Sequence, residues 1–481
     1  MVIKNSPSDI QGSAAFFNLL VDCGSRNENL DQLGGAHLLE HACFLGLGGE
    51  PLGDVREYFW TRQGARDNNN AFTTVNAINY SAETEMEHYD NLLNTFTKML
   101  SGANLQNLEN NRYFKQEQQN VVSEHRRNNN AAESARRTMV AATSMVNSAL
   151  GLHNARPTIG SERVYTAMTP DDLRALHRQC FCPSRATLVV CGLQDTDGTF
   201  LEKVQTTLGK VPINTARAPL QAPMPTMRLD MSTGQRMKII QSGNAATYVA
   251  FATAYPDMVQ GSASDRLKSF AKRITLDVLH ELLLPSREGQ QGSGLLQDLF
   301  KSNLVYQGVI MPAQSGYASP SVMLMAVPSD KNSEAQRVFA VQAKVQEILS
   351  YMLPNFSKIN NANKMLENAK RRVIDNDSNM ANGTLREISD ALLQGVRYRN
   401  SDYFFNRHRH VQNVTPQMIE EVAKTVWSPQ RLSIVVHTQP DRTFNDPGSE
   451  TQFNLDTVAK FQMRAAAKLE ANSYYCAKVS Q

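Results

Sequence analysis

The chain has 481 residues, of which 41% are hydrophobic and 20% are charged, and its formal net charge is +3. This composition is ordinary for a globular protein, and the length predicts two or more domains. The small net charge and the lack of a Lys/Arg block give no support for nucleic-acid binding. No apolar run is long enough for a membrane span, and residues 1–7 predict neither a secretory signal nor a transit peptide.

The cysteines are scattered, and residues 180–182 form a C-x-C pair with no second pair nearby, which is a poor zinc knuckle. Apolar neighbours favour buried thiols at these positions. Buried thiols are typical of a reducing compartment, so we expect the protein in the cytoplasm or the mitochondrial matrix. The cysteines are Cys23, Cys43, Cys180, Cys182, Cys191 and Cys476.

The first informative element is a predicted helix that carries H-x-x-E-H at residues 37–41. Residues four apart share one face of a helix, so His37 and His41 are able to present two imidazoles to one metal ion. Glu40 lies inside this pair and is able to reach a water on that metal without being a ligand. The alternative is a helix whose histidines meet solvent or a carboxylate. A catalytic zinc requires a third protein ligand from another element.

Residues 113–127 contain neither proline nor glycine and predict a helix. Glu117 and Glu124 are two turns apart on one face of this helix, together with Val121. A metal ligand and a supporting carboxylate would have this arrangement. The alternative is a solvated acidic helix, which is common.

Together, these two segments resemble the pitrilysin, insulin-degrading enzyme and mitochondrial processing peptidase family of zinc endopeptidases, in which H-x-x-E-H is followed by a helix with two spaced glutamates. The resemblance implies one zinc ion per chain, held by His37, His41 and Glu124. It makes Glu40 the catalytic base and Glu117 a supporting carboxylate of the catalytic site.

Two further segments extend the resemblance. Residues 22–25 resemble the strand end that precedes the motif helix in the family, and residues 70–73, followed by Asn79 and Tyr80, resemble the strand that borders its active site. The resemblance implies that Asn70, Ala71 and Phe72 bind the substrate, with the peptide added as an extra strand at the sheet edge.

The chain also contains an internal repeat, because residues 168–190 align without a gap on residues 414–436. Thr169 and Thr415 are each followed by proline and are predicted to cap a helix. Residues 188–190 and 434–436 predict buried strands. We therefore expect two copies of one α+β unit: a zinc-binding catalytic domain at 1–211, a Pro-rich linker at 212–230, a degenerate copy at 231–440 and a C-terminal extension at 441–481.

The family resemblance implies that each copy is a mainly antiparallel sheet with helices on one face, and that the two tandem domains form a clamshell. The second copy lacks H-x-x-E-H and has a single histidine near the corresponding place, at His280-Glu281. The metal is therefore expected in the first copy, and the second is expected to be a wall that supports the substrate.

In the second half, Tyr306 and Lys301 match the family pattern, but Leu299 stands where an arginine is expected. Tyr306 could donate to the developing oxyanion; the alternative is a tyrosine at an ordinary strand start. Lys301 is expected to support substrate binding as a substitute cation. The missing arginine indicates altered activity or a partner chain that completes the site, so a homodimer or a heterodimer with a related subunit is expected.

Two functions follow. The first is a zinc-dependent endopeptidase that cleaves peptides or unfolded segments. The second is a non-catalytic or partner-dependent core subunit, as in a mitochondrial processing peptidase or respiratory complex III. The complete first-half site favours the first, whereas Leu299 and the tail, with an amphipathic helix predicted at 455–471, favour the second.

Overall fold

The structure is a computed structural model. The predicted linker beyond residue 212 and the predicted tail helix at 455–471 lie outside the residues that it describes. The described residues are 2–4, 14–45, 70–85, 88–106, 108–110, 112–127, 134–149, 158–193, 197–212, 236–241, 246–256, 263–284, 294–312, 318–328, 334–381, 384–397, 406–428 and 431–439.

The chain divides into two compact units, and each is discontinuous in sequence. Unit 1 contains residues 1–128, 154–224 and 378–404, and unit 2 contains residues 129–153, 225–377 and 405–481. The linear boundaries expected at residues 211 and 230 stay a prediction.

The sheet of unit 1 has the strand order β1-β5-β2-β4-β3, in which β1 is parallel to β5 and the other pairs are antiparallel. Its elements are β1 (Val2–Lys4), β2 (Ala14–Val21), α1 (Gly35–Ala42), β3 (Asn70–Thr73), β4 (Ile78–Glu85), α2 (Tyr89–Ser101), α3 (Arg112–Arg127), α5 (Glu162–Tyr165), α6 (Pro170–Cys180), β5 (Ala186–Cys191), α7 (Thr199–Thr206) and α12 (Leu385–Arg397).

Unit 2 repeats this topology with the order β6-β10-β7-β9-β8, and β10 is parallel to β6. The predicted fold class, two repeated α+β units with mainly antiparallel sheets, is confirmed. The elements of unit 2 are α4 (Ser134–Ala149), β6 (Arg236–Gln241), β7 (Thr247–Pro256), α8 (Ala263–Leu283), α9 (Gln297–Lys301), β8 (Gln307–Pro312), β9 (Ala318–Val327), α10 (Glu334–Glu347), α11 (Ala362–Ala381), α13 (Arg407–Gln412), α14 (Pro416–Thr425) and β10 (Ser433–Thr438).

The repeated segment folds in the same way in both units. The Oγ1 atoms of Thr169 and Thr415 each accept a hydrogen bond, at 3.3 Å, from the backbone N–H three residues later. Pro170 and Pro416 occupy the first helical position, where no N–H is needed. The predicted strands are confirmed as β5 and β10, whose central residues are buried.

Each sheet is covered on both faces. The main core of unit 1 lies between its sheet and the helical layer that contains α1, α3 and α6, as the sequence predicts. The sequence does not predict the second layer, in which Val189 and Cys191 pack against Ile388 and Leu392 of α12. In unit 2, α4 covers the sheet in the same manner. Each unit therefore uses one helix from the other half of the sequence.

The cysteines require a correction. Cys23, after β2, and Cys180, at the end of α6, form a disulfide with a Cα–Cα distance of 5.4 Å. They are buried as predicted, but they are not free thiols, whereas Cys43 and Cys182 are buried and lie outside any disulfide. The two partners are 157 residues apart, so only the fold brings them together. The compartment stays a prediction.

Among the helices that the structure describes, none combines the length and the apolar character of a transmembrane span.

Gly34 provides a test of how tightly the start of α1 is packed. Its φ is +91°, and an added Cβ would lie 2.7 Å from the backbone oxygen of Ile159. Gly198 has a similar φ of +78°, but a Cβ there would meet nothing within 4 Å. We expect Gly34→Ala to lower the free energy of unfolding by about 2–4 kcal/mol, against about 1 kcal/mol for the control Gly198→Ala. Denaturant unfolding followed by circular dichroism measures both, and equal losses would contradict the tight packing.

Candidate metal centre

The short helix α1 is fixed by a buried carboxylate at its N-terminus. Glu28 accepts hydrogen bonds from the backbone N–H groups of Gly34, at 3.0 Å, and Ala36, at 2.8 Å. A negative charge at this end of a helix is favourable, because the first N–H groups have no partner within the helix. Glu28 was not predicted to have this role, since an acidic residue shortly before a glycine pair is its only mark in the sequence.

The two histidines lie on one face of α1, as predicted. Their ring centroids are 4.9 Å apart and the ring planes are perpendicular. The carboxylate of Glu124 approaches both rings from α3: its Oε2 lies 3.6 Å from Nε2 of His37 and 3.9 Å from Nε2 of His41. Three donor atoms on a tetrahedral zinc ion would be about 3.4 Å apart. The two distances from Glu124 are therefore close to those that a shared zinc ion requires.

Glu117 contacts His41 on the opposite side of its ring. Oε2 of Glu117 and Nδ1 of His41 are 2.9 Å apart, and the amide of Asn120 donates to the other carboxylate oxygen at 3.0 Å. A carboxylate that accepts from Nδ1 fixes the ring orientation and leaves Nε2 for a metal ion. This is the geometry expected for a supporting carboxylate.

Burial and one amide fix the orientation of α3. Phe114, Val121 and Val122 are buried in the core of unit 1. The side-chain amide of Gln118, which is 2% exposed, donates to the backbone oxygens of Tyr165 and Met168 at 3.1 and 2.9 Å. These contacts direct the adjacent carboxylates towards α1. Sequence reasoning also missed Gln118, because a glutamine in a polar helix carries no signal of burial.

The surroundings of the two imidazoles shift their pKa values in opposite directions. Burial, and then the positive charge of His41, lower the pKa of His37 to about 3. Burial also lowers the pKa of His41, but the hydrogen bond with Glu117 and the charges of Glu40, Glu117 and Glu124 leave it above the ordinary value. A metal ion binds the neutral ring. His37 is therefore neutral near neutral pH, whereas a proton competes with the metal at His41 up to a higher pH than at an ordinary imidazole.

Glu40 is almost fully buried between the two histidines. Burial raises the pKa of its carboxyl to about 7 in the metal-free site, although the charge of His41 and a hydrogen bond from Thr73 act in the opposite direction. Oγ1 of Thr73 donates to Oε2 of Glu40 at 2.6 Å. Within the described residues, His37, Glu40 and His41 are the one set of three possible ligands whose donor atoms lie within 4.8 Å of one another.

The strand β3 lies at the edge of the unit 1 sheet, next to β4. Asn70 and Phe72 are exposed, with Phe72 at 41%, and Ala71 is partly buried against the core. The structure thus places the three predicted substrate-binding residues on a strand whose last residue, Thr73, contacts Glu40.

Comparison with known families decides the classification. Residues 2–158 match the family described as Insulinase (Peptidase family M16), and residues 167–353 match the Peptidase M16 inactive domain.

The chain belongs to the M16 peptidase family.

Solved structures show the same fold for this M16 chain. A protease from Helicobacter pylori is 19% identical with a TM-score of 0.71, and the match covers 91% of this chain and 96% of that one. The first half of the periplasmic protease PqqL from Escherichia coli is 17% identical with a TM-score of 0.71, covering 99% and 96%. A chain of complex III2 from Candida albicans is 14% identical with a TM-score of 0.66, covering 91% and 93%. No curated protein matches significantly.

The predicted second-half residues lie in unit 2. Lys301 and Tyr306 are both exposed, Tyr306 at 58%, and they flank the turn between α9 and the edge strand β8. Leu299 is 2% exposed and packs in the core of unit 2. An apolar core side chain therefore occupies the position where the family pattern predicts an arginine. The roles of Lys301 and Tyr306 in the site stay predictions.

Unit 2 has an ion pair where unit 1 has its histidine site. By position in the repeated topology, α8 and α11 correspond to α1 and α3. Nε of Arg372 on α11 lies 2.9 Å from Oε2 of Glu281 on α8. The neighbouring His280 is half-buried with its ring against that of Trp427, and desolvation lowers its pKa to about 4. A fixed guanidinium joins the two helices here, as the His41–Glu117 contact does in unit 1.

The coupling of His41 to Glu117 is testable without metal. In metal-free protein, we expect His41 to titrate above 6.5 and His37 to stay neutral down to about 3. Glu117→Gln removes the negative charge that favours the imidazolium, so the pKa of His41 should fall. Carbon-13 NMR of labelled histidine rings follows both titrations, and His37 serves as the internal control. An unchanged His41 titration in the variant would show that Glu117 does not set this pKa.

Proposed function

We propose that this M16 chain is a zinc-dependent endopeptidase that cleaves peptides or unfolded segments. The observation that carries the proposal is the convergence of His37 Nε2, His41 Nε2 and Glu124 Oε2, with the carboxylate of Glu40 beside them. Two imidazoles and one carboxylate with an open fourth position are the donor set of a catalytic zinc ion.

Two carboxylates compete for the role of third ligand, and their contacts separate them. Oε2 of Glu124 lies within 4 Å of both Nε2 atoms and belongs to a second helix. Glu40 lies on the same helix as the histidines, and its carboxylate accepts a hydrogen bond from Thr73. We therefore assign Glu124 as the ligand and Glu40 as the base. The buried Nδ1 of His37 has no hydrogen-bond partner among the described residues, so the support that Glu117 gives His41 is not repeated there.

When bound, zinc would polarise the scissile carbonyl and lower the pKa of the attacking water. Glu40 would accept the proton of that water and pass it to the leaving amine. Its position supports this role, because the carboxylate is buried beside both imidazoles without being needed as a ligand. Glu117 would hold the His41 ring in place while the charge at the site changes.

The substrate would bind along β3. An edge strand offers unpaired backbone groups, so an extended peptide is able to add to the sheet next to Asn70, Ala71 and Phe72. Recognition through the backbone predicts loose sequence specificity. Tyr306 and Lys301 of unit 2 would contribute to the oxyanion and substrate contacts only in the complete chain, or with a related subunit as partner.

A second candidate is a core subunit that depends on a partner for activity or has none. Leu299 favours it, since a leucine stands where the family resemblance predicts a cationic arginine. The fold shared with a chain of complex III2 is compatible with this role. The complete donor set of unit 1 favours the peptidase.

The ligand assignment predicts different metal affinities for two glutamate variants. Wild-type protein should bind about one zinc ion per chain. Glu124→Gln should lose more affinity than Glu117→Gln, whose loss should be about 10–100-fold, because Glu117 acts on the metal only through His41. Competition with a chromophoric chelator measures both, and Glu109→Gln on the surface of unit 1 is the control. A larger loss for Glu117→Gln would exchange the two roles.

The proposed base is tested separately. Glu40→Gln preserves the shape of the side chain but cannot accept the proton, so it should keep its zinc and lose hydrolysis by at least about 100-fold. Cleavage of an internally quenched, unfolded peptide by zinc-loaded full-length protein is the assay, with zinc content measured on the same samples. Turnover near the wild-type rate in the variant would remove Glu40 from the mechanism. A wild-type chain that holds zinc but is inert until a related subunit is added would favour the second candidate.

A further inference from the structure

Thr73 is the one side chain among the described residues that hydrogen-bonds to Glu40. The distance of 2.6 Å from Oγ1 to Oε2 is in the range of a hydroxyl that donates to a carboxylate. Glu40 is only 6% exposed, so water does not easily replace this contact. Within the described parts of the chain, the orientation of the buried carboxylate therefore depends on the Thr73 hydroxyl.

The position of Thr73 is itself fixed by the turn that follows it. Thr73 is the last residue of β3 and pairs with Ile78 at the start of β4. In the turn, the hydroxyl of Thr74 accepts hydrogen bonds from the backbone N–H groups of Asn76 and Ala77, at 3.2 and 3.0 Å. The backbone N–H of Thr74 also donates to the oxygen of Ala77 at 2.8 Å. The donor to Glu40 thus comes from a closed hairpin and not from a free loop.

We infer that Thr73 is a positioning residue that sets the Glu40 carboxylate relative to the edge strand on which the peptide binds. The inference rests on the proposed peptidase function. Asn70 and Phe72 alternate with Ala71 and Thr73 along β3, so one four-residue strand presents an exposed edge and also holds the base. A peptide paired with β3 and the carboxylate of Glu40 are thereby fixed to the same piece of backbone.

This arrangement makes a specific kinetic prediction. Loss of the Thr73 hydroxyl should leave the backbone edge intact, so peptide binding should be retained while the base is misplaced. Misplacement of a reacting group by about 1 Å is able to reduce a rate on the order of 100-fold. We therefore expect Thr73→Val, which keeps the side-chain shape, to lower kcat by about 10–100-fold with KM within about twofold of wild type. Thr73→Ser keeps the donor and should recover most of kcat.

The test has a second readout that does not need activity. In metal-free full-length protein, Thr73→Val should lower the unfolding midpoint by about 2 °C, because it leaves a buried carboxylate without its donor. In a Glu40→Ala background, the same change should have no effect, since the acceptor is gone. Thr187→Val is the matched control: this residue lies on β5 opposite Leu20, away from Glu40, and should show neither the kinetic loss nor the coupling.

The outcomes separate this inference from the proposed function. If wild-type protein cleaves peptide and Thr73→Val keeps its kcat, Thr73 has no positioning role and the peptidase proposal stands. Additive midpoint shifts for Thr73→Val and Glu40→Ala would likewise overturn the inference. A rise in KM that accounts for the whole loss in kcat/KM would also overturn the inference, because the damage would then lie in the binding strand and not in the placement of the base. If wild-type protein at full zinc occupancy cleaves nothing, the function fails and the role of Thr73 fails with it.

Discussion

The burial of α1 is the constraint on which the site depends. An eight-residue helix is unstable alone, because forming the first turn fixes several residues for little gain. Every residue of α1 except His41 is buried, and Glu28 satisfies N–H groups at its start. The same burial sets the chemistry: it keeps His37 neutral and raises the pKa of Glu40 towards neutrality. The burial of α1 therefore both stabilises the helix and shifts the pKa values of His37 and Glu40.

The two units share one topology, but they carry different charged groups on the corresponding pair of helices. In unit 1, the helices α1 and α3 bring together two imidazoles and several carboxylates, a set that gains from a bound cation. In unit 2, the corresponding helices are joined by Arg372 and Glu281, so the protein itself supplies the positive charge. Since a guanidinium remains charged at any ordinary pH, unit 2 keeps this link without a metal ion. The two units therefore have the same strand order but differ in the side chains that join these two helices.

Sequence reasoning recovers what local periodicity encodes. Local patterns predict the shared face of His37 and His41 and the helix of Glu117 and Glu124. The Thr-Pro pairs and apolar runs predict the capped helices and the strands of the repeat. Contacts between distant segments leave no such trace. Glu28 and Gln118 look like ordinary polar residues until the fold buries them, and the disulfide joins positions 157 residues apart. The roles predicted for Lys301 and Tyr306 in unit 2 depend on where the fold places these side chains, and short sequence patterns do not contain that information.

Each unit is covered by one helix from the other half of the sequence, α12 in unit 1 and α4 in unit 2, and this affects the order in which the protein can fold during synthesis. The sheet of unit 1 is complete in sequence at β5, yet the helix that covers Val189 and Cys191 follows β9. On the ribosome, this apolar face therefore remains uncovered until most of the second half has emerged, and α4 must wait for the strands of unit 2. Domains are usually able to fold in turn from the N-terminus. Here the first unit lacks its second covering helix until late in translation, so one face of its sheet stays exposed longer than the position of β5 in the sequence would require.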